Sequence, residues 1–274
     1  MLPAIFFGHG SPMYAIDKNQ YSETWVRIGE NILSAKNPQP KAILMVSAHW
    51  VTKGTSITAM ANPKTIHDFQ GFPQELFDVQ YPAHGDADIA KSIADKFKNY
   101  NIQLDSNWGL DHGTWSVLKW AFPEANIPVL QLSINAEMSF LEHYEFGLEL
   151  SSLRNEGILL MGSGNLVHNL RLLNWGNQNE KLEWAIEASE QFKKLILQAD
   201  GKNLSLAHKL GEAANLAINS AEHFVPALYC LGFMGKDVDL SKIQLFNDDV
   251  NSSISMTGFA YELNGFKGLS DIIY

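Results

Sequence analysis

The sequence predicts an α/β fold, a single-domain layered sandwich in which helices cover both faces of a mostly parallel central sheet. Three observations predict it. Apolar runs of strand length at 4–7, 42–46, 128–134 and 158–161 are continuous or nearly so, as expected where both sheet faces are covered. Stretches at helical spacing separate these runs through the first two thirds of the chain, the alternation that builds layered α/β sheets. No repeat, low-complexity tract or linker interrupts the 274 residues, so 1–274 is read as one domain.

The first strand stops at His9, held between Gly8 and Gly10. Residues 21–35 carry Trp25, Ile28, Ile32 and Leu33 at helical spacing, and Asn37-Pro-Gln-Pro40 ends that helix, because proline removes a donor and restricts the residue before it. The second strand, 42–46, follows at once, and 55–60 alternates weakly as a shorter strand candidate. Residues 62–85 contain Pro63, Gly71, Pro73, Pro82 and Gly85 with no clear period, and read as a long loop of the kind that is usually functional in a compact fold. Residues 86–97 restore a helix, with Ile89, Ile93 and Phe97 on one side and Asp86 or Asp88 near its cap. A short strand candidate at 102–104 precedes a helix over 117–121, which Pro123 stops. After the strand at 128–134 come a helix over 139–154 and the strand at 158–161. The last third reads as mostly helical, over 182–197, 204–218 and a run after His223, with a closing strand at 253–259.

The net charge of −10 and the absence of clustered Lys and Arg exclude a nucleic-acid surface, and the acidic balance does not suit an anionic membrane. No run approaches the roughly 20 apolar residues of a membrane helix, and no basic segment precedes the apolar amino terminus. The lone Cys230 sits in an apolar run and reads as core packing. These features point to a cytoplasmic protein, with its oligomeric state left open.

The histidines carry the chemistry. Strand candidates lead through small residues to His9, His49 and His168. If those strands are parallel neighbours, their carboxyl ends form one edge, where open α/β sheets place ligands. Converging neutral imidazoles there would suit a divalent transition metal. Each has a plainer reading: His9 as a turn residue, His49 as a satisfied strand-end residue, His168 as part of a turn that starts a helix. Gly162-Ser-Gly164 lacks the spacing of a dinucleotide or P-loop motif. His112 follows Asp111, which serves either as an N-cap or as a carboxylate orienting the imidazole. Either Glu222 or His223 could face a metal, with Pro226 in the first turn of the helix that follows. His67 lies in the long loop, placed to touch substrate, whereas His84, His143 and His208 sit in polar or helix-surface contexts where histidine is ordinarily solvated.

Six ordered motifs lie along the chain: Gly8-His-Gly-Ser-Pro12, Val46-Ser-Ala-His-Trp50, Thr65-Ile-His-Asp-Phe-Gln-Gly-Phe-Pro73, Asp111-His-Gly-Thr-Trp115, Ser163-Gly-Asn-Leu-Val-His-Asn169 and Glu222-His-Phe-Val-Pro226. Through them the sequence resembles the LigB-type extradiol ring-cleavage dioxygenases, in particular the 4,5-DOPA dioxygenase branch, from residue 4 to about residue 260. The resemblance implies a LigB-like α/β domain with one divalent metal, iron(II) for dioxygenase activity or zinc(II) as bound. It implies His9, His49 and His223 as metal ligands, His168 as the acid/base beside the metal and as a further ligand when no substrate is bound, and His112 as a second catalytic histidine. The implied partners are a small catechol and dioxygen, giving a ring-opened semialdehyde. His223 stands where the wider group has a glutamate, and an all-imidazole set also suits zinc. Two other functions therefore stand beside the dioxygenase: a zinc-dependent hydrolase of an amide or ester, and a non-catalytic metal-binding module.

Overall fold

The computed structural model describes residues 1–177 and 179–266. The first half of the chain runs β1 (Ala4–Gly8), α1 (Gln20–Ile32), β2 (Ala42–Thr52), β3 (Ser56–Thr58), α2 (Gln74–Phe77), α3 (Ala87–Lys96), β4 (Gln103–Asp105) and α4 (His112–Ala121). It continues with β5 (Val129–Asn135), α5 (Phe140–Leu150), β6 (Ile158–Gly164), α6 (Glu183–Leu197), α7 (Gly201–Leu204), α8 (Glu212–Ala217) and α9 (Val225–Phe233). Four short strands close it: β7 (Ile243–Phe246), β8 (Val250–Asn251), β9 (Ile254–Ser255) and β10 (Gly258–Tyr261).

Eight strands form one sheet in the order β4-β3-β5-β2-β6-β1-β10-β7. Its centre, β5-β2-β6-β1, is wholly parallel. Antiparallel pairings flank it, β3 on β5 and β10 on β1. Successive residues of the central strands feed opposite cores. Phe6, Leu44 and Leu160 pack on one face with α5, α6 and α9, while Phe7, Met45 and Leu159 pack on the other with α1 and α4. That two-sided burial is why these strands read as unbroken apolar runs. The predicted α/β architecture with its mostly parallel sheet is the one observed.

Several elements differ from the sequence reading. The second strand does not stop at Val46; it runs to Thr52 through a register shift between Val46 and Val51, and His49 lies inside that irregular stretch. The helix expected over 204–218 is broken, because Gly211 takes φ +120 before α8. The helix expected over 139–154 ends at Leu150 and tightens into a 3-10 turn over Ser151–Glu156 that Gly157 stops in the left-handed region. The closing strand resolves into β9 and β10, and β7 was not anticipated. Among the described residues, no helix is long and apolar enough to cross a membrane.

Candidate metal centre

Because β1, β6 and β2 are parallel neighbours, their carboxyl ends meet on one edge of the sheet. His9 follows β1 directly, its backbone N–H donating to the Gly164 carbonyl at 3.2 Å. His49 projects from the irregular part of β2. At the end of β6, Asn165 N–H donates to the His223 carbonyl at 2.9 Å, which brings the segment before α9 onto the same edge. A Cβ on Gly164 would overlap that carbonyl oxygen, so only glycine lets the two backbones approach this closely. The glycines flanking Ser163 serve packing, and no phosphate-binding turn is formed.

His168 is not at a helix start. The stretch before it crosses to the metal edge as irregular backbone pinned on both sides: His168 N–H to Ala217 O at 2.9 Å, and Ser255 N–H to Val167 O at 2.9 Å. His112 opens α4. Asp111 is that helix's N-cap, accepting from Thr114 N–H, and Ser47 and Gln131 fasten its carboxylate at 2.6 and 2.7 Å. Of the two roles considered for Asp111, the structure therefore supports the cap.

Five of the six singled-out histidines come together. The Nε2 atoms of His9 and His49 lie 3.2 Å apart, and the ring of His223 is centred 5.4 Å from His9 and 5.1 Å from His49. Donor atoms of these three all fall within 4.8 Å of one another. His112 sits against His49 with ring centres 3.8 Å apart, and His168 stacks on His223 at 3.5 Å with the planes 7° apart. His67 is the exception. Its Nε2 lies 2.9 Å from the Val79 carbonyl, its ring packs against Phe69, Phe77 and Trp115, and it is not part of the cavity wall. These contacts brace the long loop, and a contact with substrate stays an expectation. His143, expected to be solvated, is instead buried with its Nδ1 3.2 Å from the Tyr229 hydroxyl.

The far side of four of these rings, those of His9, His49, His112 and His223, has a polar partner. His9 Nδ1 meets Ser163 Oγ at 2.9 Å, and His223 Nδ1 meets Glu222 Oε1 at 3.4 Å. Asp68 Oδ2 lies 3.2 Å from His49 Nδ1 and 2.9 Å from His112 Nδ1, while its Oδ1 accepts the His112 backbone N–H at 2.9 Å. The sequence reading passed over Asp68. It stands next to His67 in the quoted loop motif, and the need for a carboxylate behind a ligating imidazole was the signal available to find it. His49, Asp68 and His112 also form a second trio of potential donors. Their spacings are those of N–H to carboxylate hydrogen bonds, so Asp68 belongs behind the rings.

Burial, reinforced by the neighbouring imidazoles, pushes His9 and His223 well below the ordinary histidine pKa. Burial also lowers His112, against the opposing pull of Asp68, and lowers His168 to about 4 against the pull of Glu222. Burial would raise the Asp68 carboxyl, but hydrogen bonds from His112 and His49 outweigh it and hold the group below the usual carboxylate range. Burial thus favours neutral imidazoles at His9, His112, His168 and His223, with carboxylates behind His112 and His223. Two Nε2 atoms 3.2 Å apart match the roughly 3.3 Å between neighbouring nitrogens of a tetrahedral site with metal–nitrogen bonds of about 2.0 Å. The donor set thus fits one divalent transition metal held by His9, His49 and His223.

Above this edge opens a cavity of 620 Å³ with His9, His49, His112, His168 and His223 in its wall. Tyr14, Phe72, Leu173, Trp175 and Met256 supply an aromatic and apolar lining. A cavity of this kind admits a flat aromatic molecule and keeps its reacting end against the imidazoles.

Comparison with known proteins agrees with this geometry. The chain is 42% identical over 234 residues to the 4,5-DOPA dioxygenase extradiol of Escherichia coli (strain K12), covering 84% of each chain. It is 33% identical over 262 residues to the protein of the same name from Beta vulgaris, covering 92% of this chain and 93% of that one. Among solved structures, an uncharacterized protein from Escherichia coli K12 matches with a TM-score of 0.79 and 34% identity over 95% of this chain and 100% of that chain. A family model described as the catalytic LigB subunit of aromatic ring-opening dioxygenase matches residues 3–261, a span that takes in β1 through β10 and all five clustered histidines. With motifs, sheet edge and relatives in agreement over nearly the whole length, the chain belongs to the LigB family of aromatic ring-opening dioxygenase subunits.

Proposed function

We propose that this chain is an extradiol ring-cleaving dioxygenase that opens a catechol with a small, DOPA-like side chain, incorporating both atoms of dioxygen to give a semialdehyde. The observation that carries this reading is the convergence of His9, His49 and His223 under an aromatic-lined cavity, each with its Nδ1 against a polar partner. These three side chains would hold one divalent metal. Iron(II), when bound, would supply a redox centre at which a catechol and dioxygen are brought together. His168, neutral and stacked on His223, is available to take a catechol proton and to return one as the ring opens. His112, its Nδ1 held by Asp68, would offset negative charge that develops on reacting oxygen once its Nε2, on the cavity side, has taken up a proton. Tyr14, Phe72 and Trp175 would flank the ring and exclude water from it.

The clustered trio contains no carboxylate, which also suits zinc(II) and keeps a hydrolytic reading in play. The acidic composition and the buried thiol of Cys230 support a cytoplasmic location, and the one large sheet with a core on each face supports treating the chain as a single catalytic domain. An oxygen-electrode trace on iron-loaded and zinc-loaded protein, with and without L-DOPA, tests the proposal. Oxygen uptake and a yellow product with iron and catechol together are expected. Catechol-independent hydrolysis with zinc, or no uptake with several catechols under reducing, iron-replete conditions, refutes it.

A further inference from the structure

We infer that Asp68 is a positioning residue that holds His49 and His112 in one tautomer, with the Nε2 lone pair of each on the side away from the carboxylate. This deepens the proposed function, because it rests on His49 being a metal ligand. The argument is one of donors and acceptors. An ionised carboxylate only accepts hydrogen bonds. Its Oδ2 accepts from His112 Nδ1 at 2.9 Å and lies 3.2 Å from His49 Nδ1, an ion-pair contact, so in each ring Nδ1 is the nitrogen whose proton the carboxylate favours. A neutral imidazole protonated at Nδ1 has its lone pair on Nε2, the form that ligates a cation or accepts a proton. One oxygen atom, on a loop 44 residues away from His112 in sequence, therefore sets the chemistry of two histidines from different elements.

The other carboxylate oxygen makes the arrangement directional. Oδ1 accepts the backbone N–H of His112 at 2.9 Å. In an Asp68→Asn chain that fixed N–H needs an acceptor, so the amide oxygen must take the Oδ1 position and the NH2 group the Oδ2 position. The NH2 has two hydrogens and can donate to both Nδ1 atoms, provided both have become lone pairs. Each ring would then carry its proton on Nε2, facing the cavity. An isosteric substitution thus turns both imidazoles from acceptors into donors without altering the packing. Asp68 also ties down the loop that supplies Phe72 to the cavity wall, and Phe69 packs on His112 with ring centres 5.6 Å apart. A purely structural role for Asp68 would concern that loop and leave the tautomers alone.

Nitrogen-15 NMR of histidine-labelled, metal-free full-length chain reads the tautomers directly, the two signals being assigned by their loss in H49Q and H112Q chains. Nδ1–H on both rings is expected for the parent chain, and Nε2–H on both for D68N. Zinc titration against a competing chelator should show D68N binding about 10–100-fold more weakly. Nε2–H on either ring of the parent overturns the inference, and this arm decides even if D68N does not fold. A folded D68N with parental tautomers, or with switched tautomers and parental zinc affinity, also overturns it. Failure of the parent to bind zinc or iron at all would instead count against the proposed function, with the tautomer reading still standing as its own result.

Discussion

Replacing Gly164 by alanine tests whether the metal edge depends on how closely two backbones approach. Gly164 ends β6 and pairs with Gly8. A Cβ there would overlap the His223 carbonyl oxygen, with the carbonyl carbon at 3.1 Å and Pro226 Cγ at 3.3 Å. Those atoms are backbone and a proline ring at the start of α9, so no flexible side chain can swing aside. Restoring van der Waals contact requires the segment before α9 to retreat from β6 by about 1 Å. The retreat would stretch the 2.9 Å bond from Asn165 N–H to His223 O and carry the His223 ring away from His9 and His49. Overpacking of this type costs about 1–3 kcal/mol of stability, and a 1 Å misplacement at a reacting centre costs roughly 10²-fold in rate. The assays are thermal melting, zinc affinity by chelator competition, and oxygen uptake with L-DOPA by the iron-loaded protein. A lower melting temperature, weaker zinc binding and a fall in turnover of about two orders of magnitude are expected. A folded G164A chain with parental zinc affinity and parental turnover would refute the placement of His223 as a ligand held by this contact.

Chelation should abolish catechol-dependent oxygen uptake, with iron(II) and not zinc(II) restoring it; uptake by the chelated protein would sink the metal assignment. His168→Gln should lower turnover by about 10²–10⁴-fold while reducing zinc affinity less than His9→Gln does, as judged by parallel kinetics and chelator competition. His67→Ala removes the contact with Val79 O and should cost about 1 kcal/mol in denaturant melts, with KM for the catechol unchanged because the ring lies outside the cavity wall. Burial lowers His143 to about 4 from 6.5. The unfolded chain then binds more protons between those values, so the stability tied to neutral His143 is present above pH about 6.5 and is lost as pH falls toward 4. His143→Gln should flatten that part of the pH–stability curve measured in urea, and an unchanged slope would contradict the burial argument.

The sheet edge was legible because two-sided burial leaves an unmistakable trace, a run such as Ala42 to Val46 with no polar alternation, and because histidine after such a run has no packing role of its own. The partners of those histidines were harder to see. Asp68 meets His112 across 44 residues, and nothing in the loop's own sequence dictates where its backbone passes. His143 was misplaced for a related reason. Its neighbours in sequence are polar, but α5 lies unusually close to α9: a Cβ on Gly147 would stand 2.5 Å from Tyr229 O, and one on Gly232 2.5 Å from Tyr144 O. That pair of glycines closes the helices over a side chain that local pattern assigns to solvent. The broken helix at Gly211 and the short strands β7 and β8 were illegible for the opposite reason. They are set by tertiary pairing on segments too short to show a period.

The placement of the carboxylates bears on what the centre can bind. A site with two histidines and one carboxylate offsets part of the metal's charge through a ligand, whereas an imidazole ligand offers a lone pair and no negative charge. Here the negative charge stands behind the imidazoles, on Asp68 behind His49 and His112 and on Glu222 behind His223. An excess positive charge is therefore left on the cavity side of the rings once a divalent cation is held. Such a field favours a substrate that arrives neutral and binds as an anion, giving up a proton to a nearby base. A catechol beside His168 meets that requirement, whereas an amide or ester would draw on the same charge only through a bound hydroxide or the oxyanion formed during attack. The electrostatics of the outer carboxylates thus suit either chemistry, and what favours ring cleavage is the aromatic-lined cavity with His168 in its wall, where a flat catechol can dock and give up its proton.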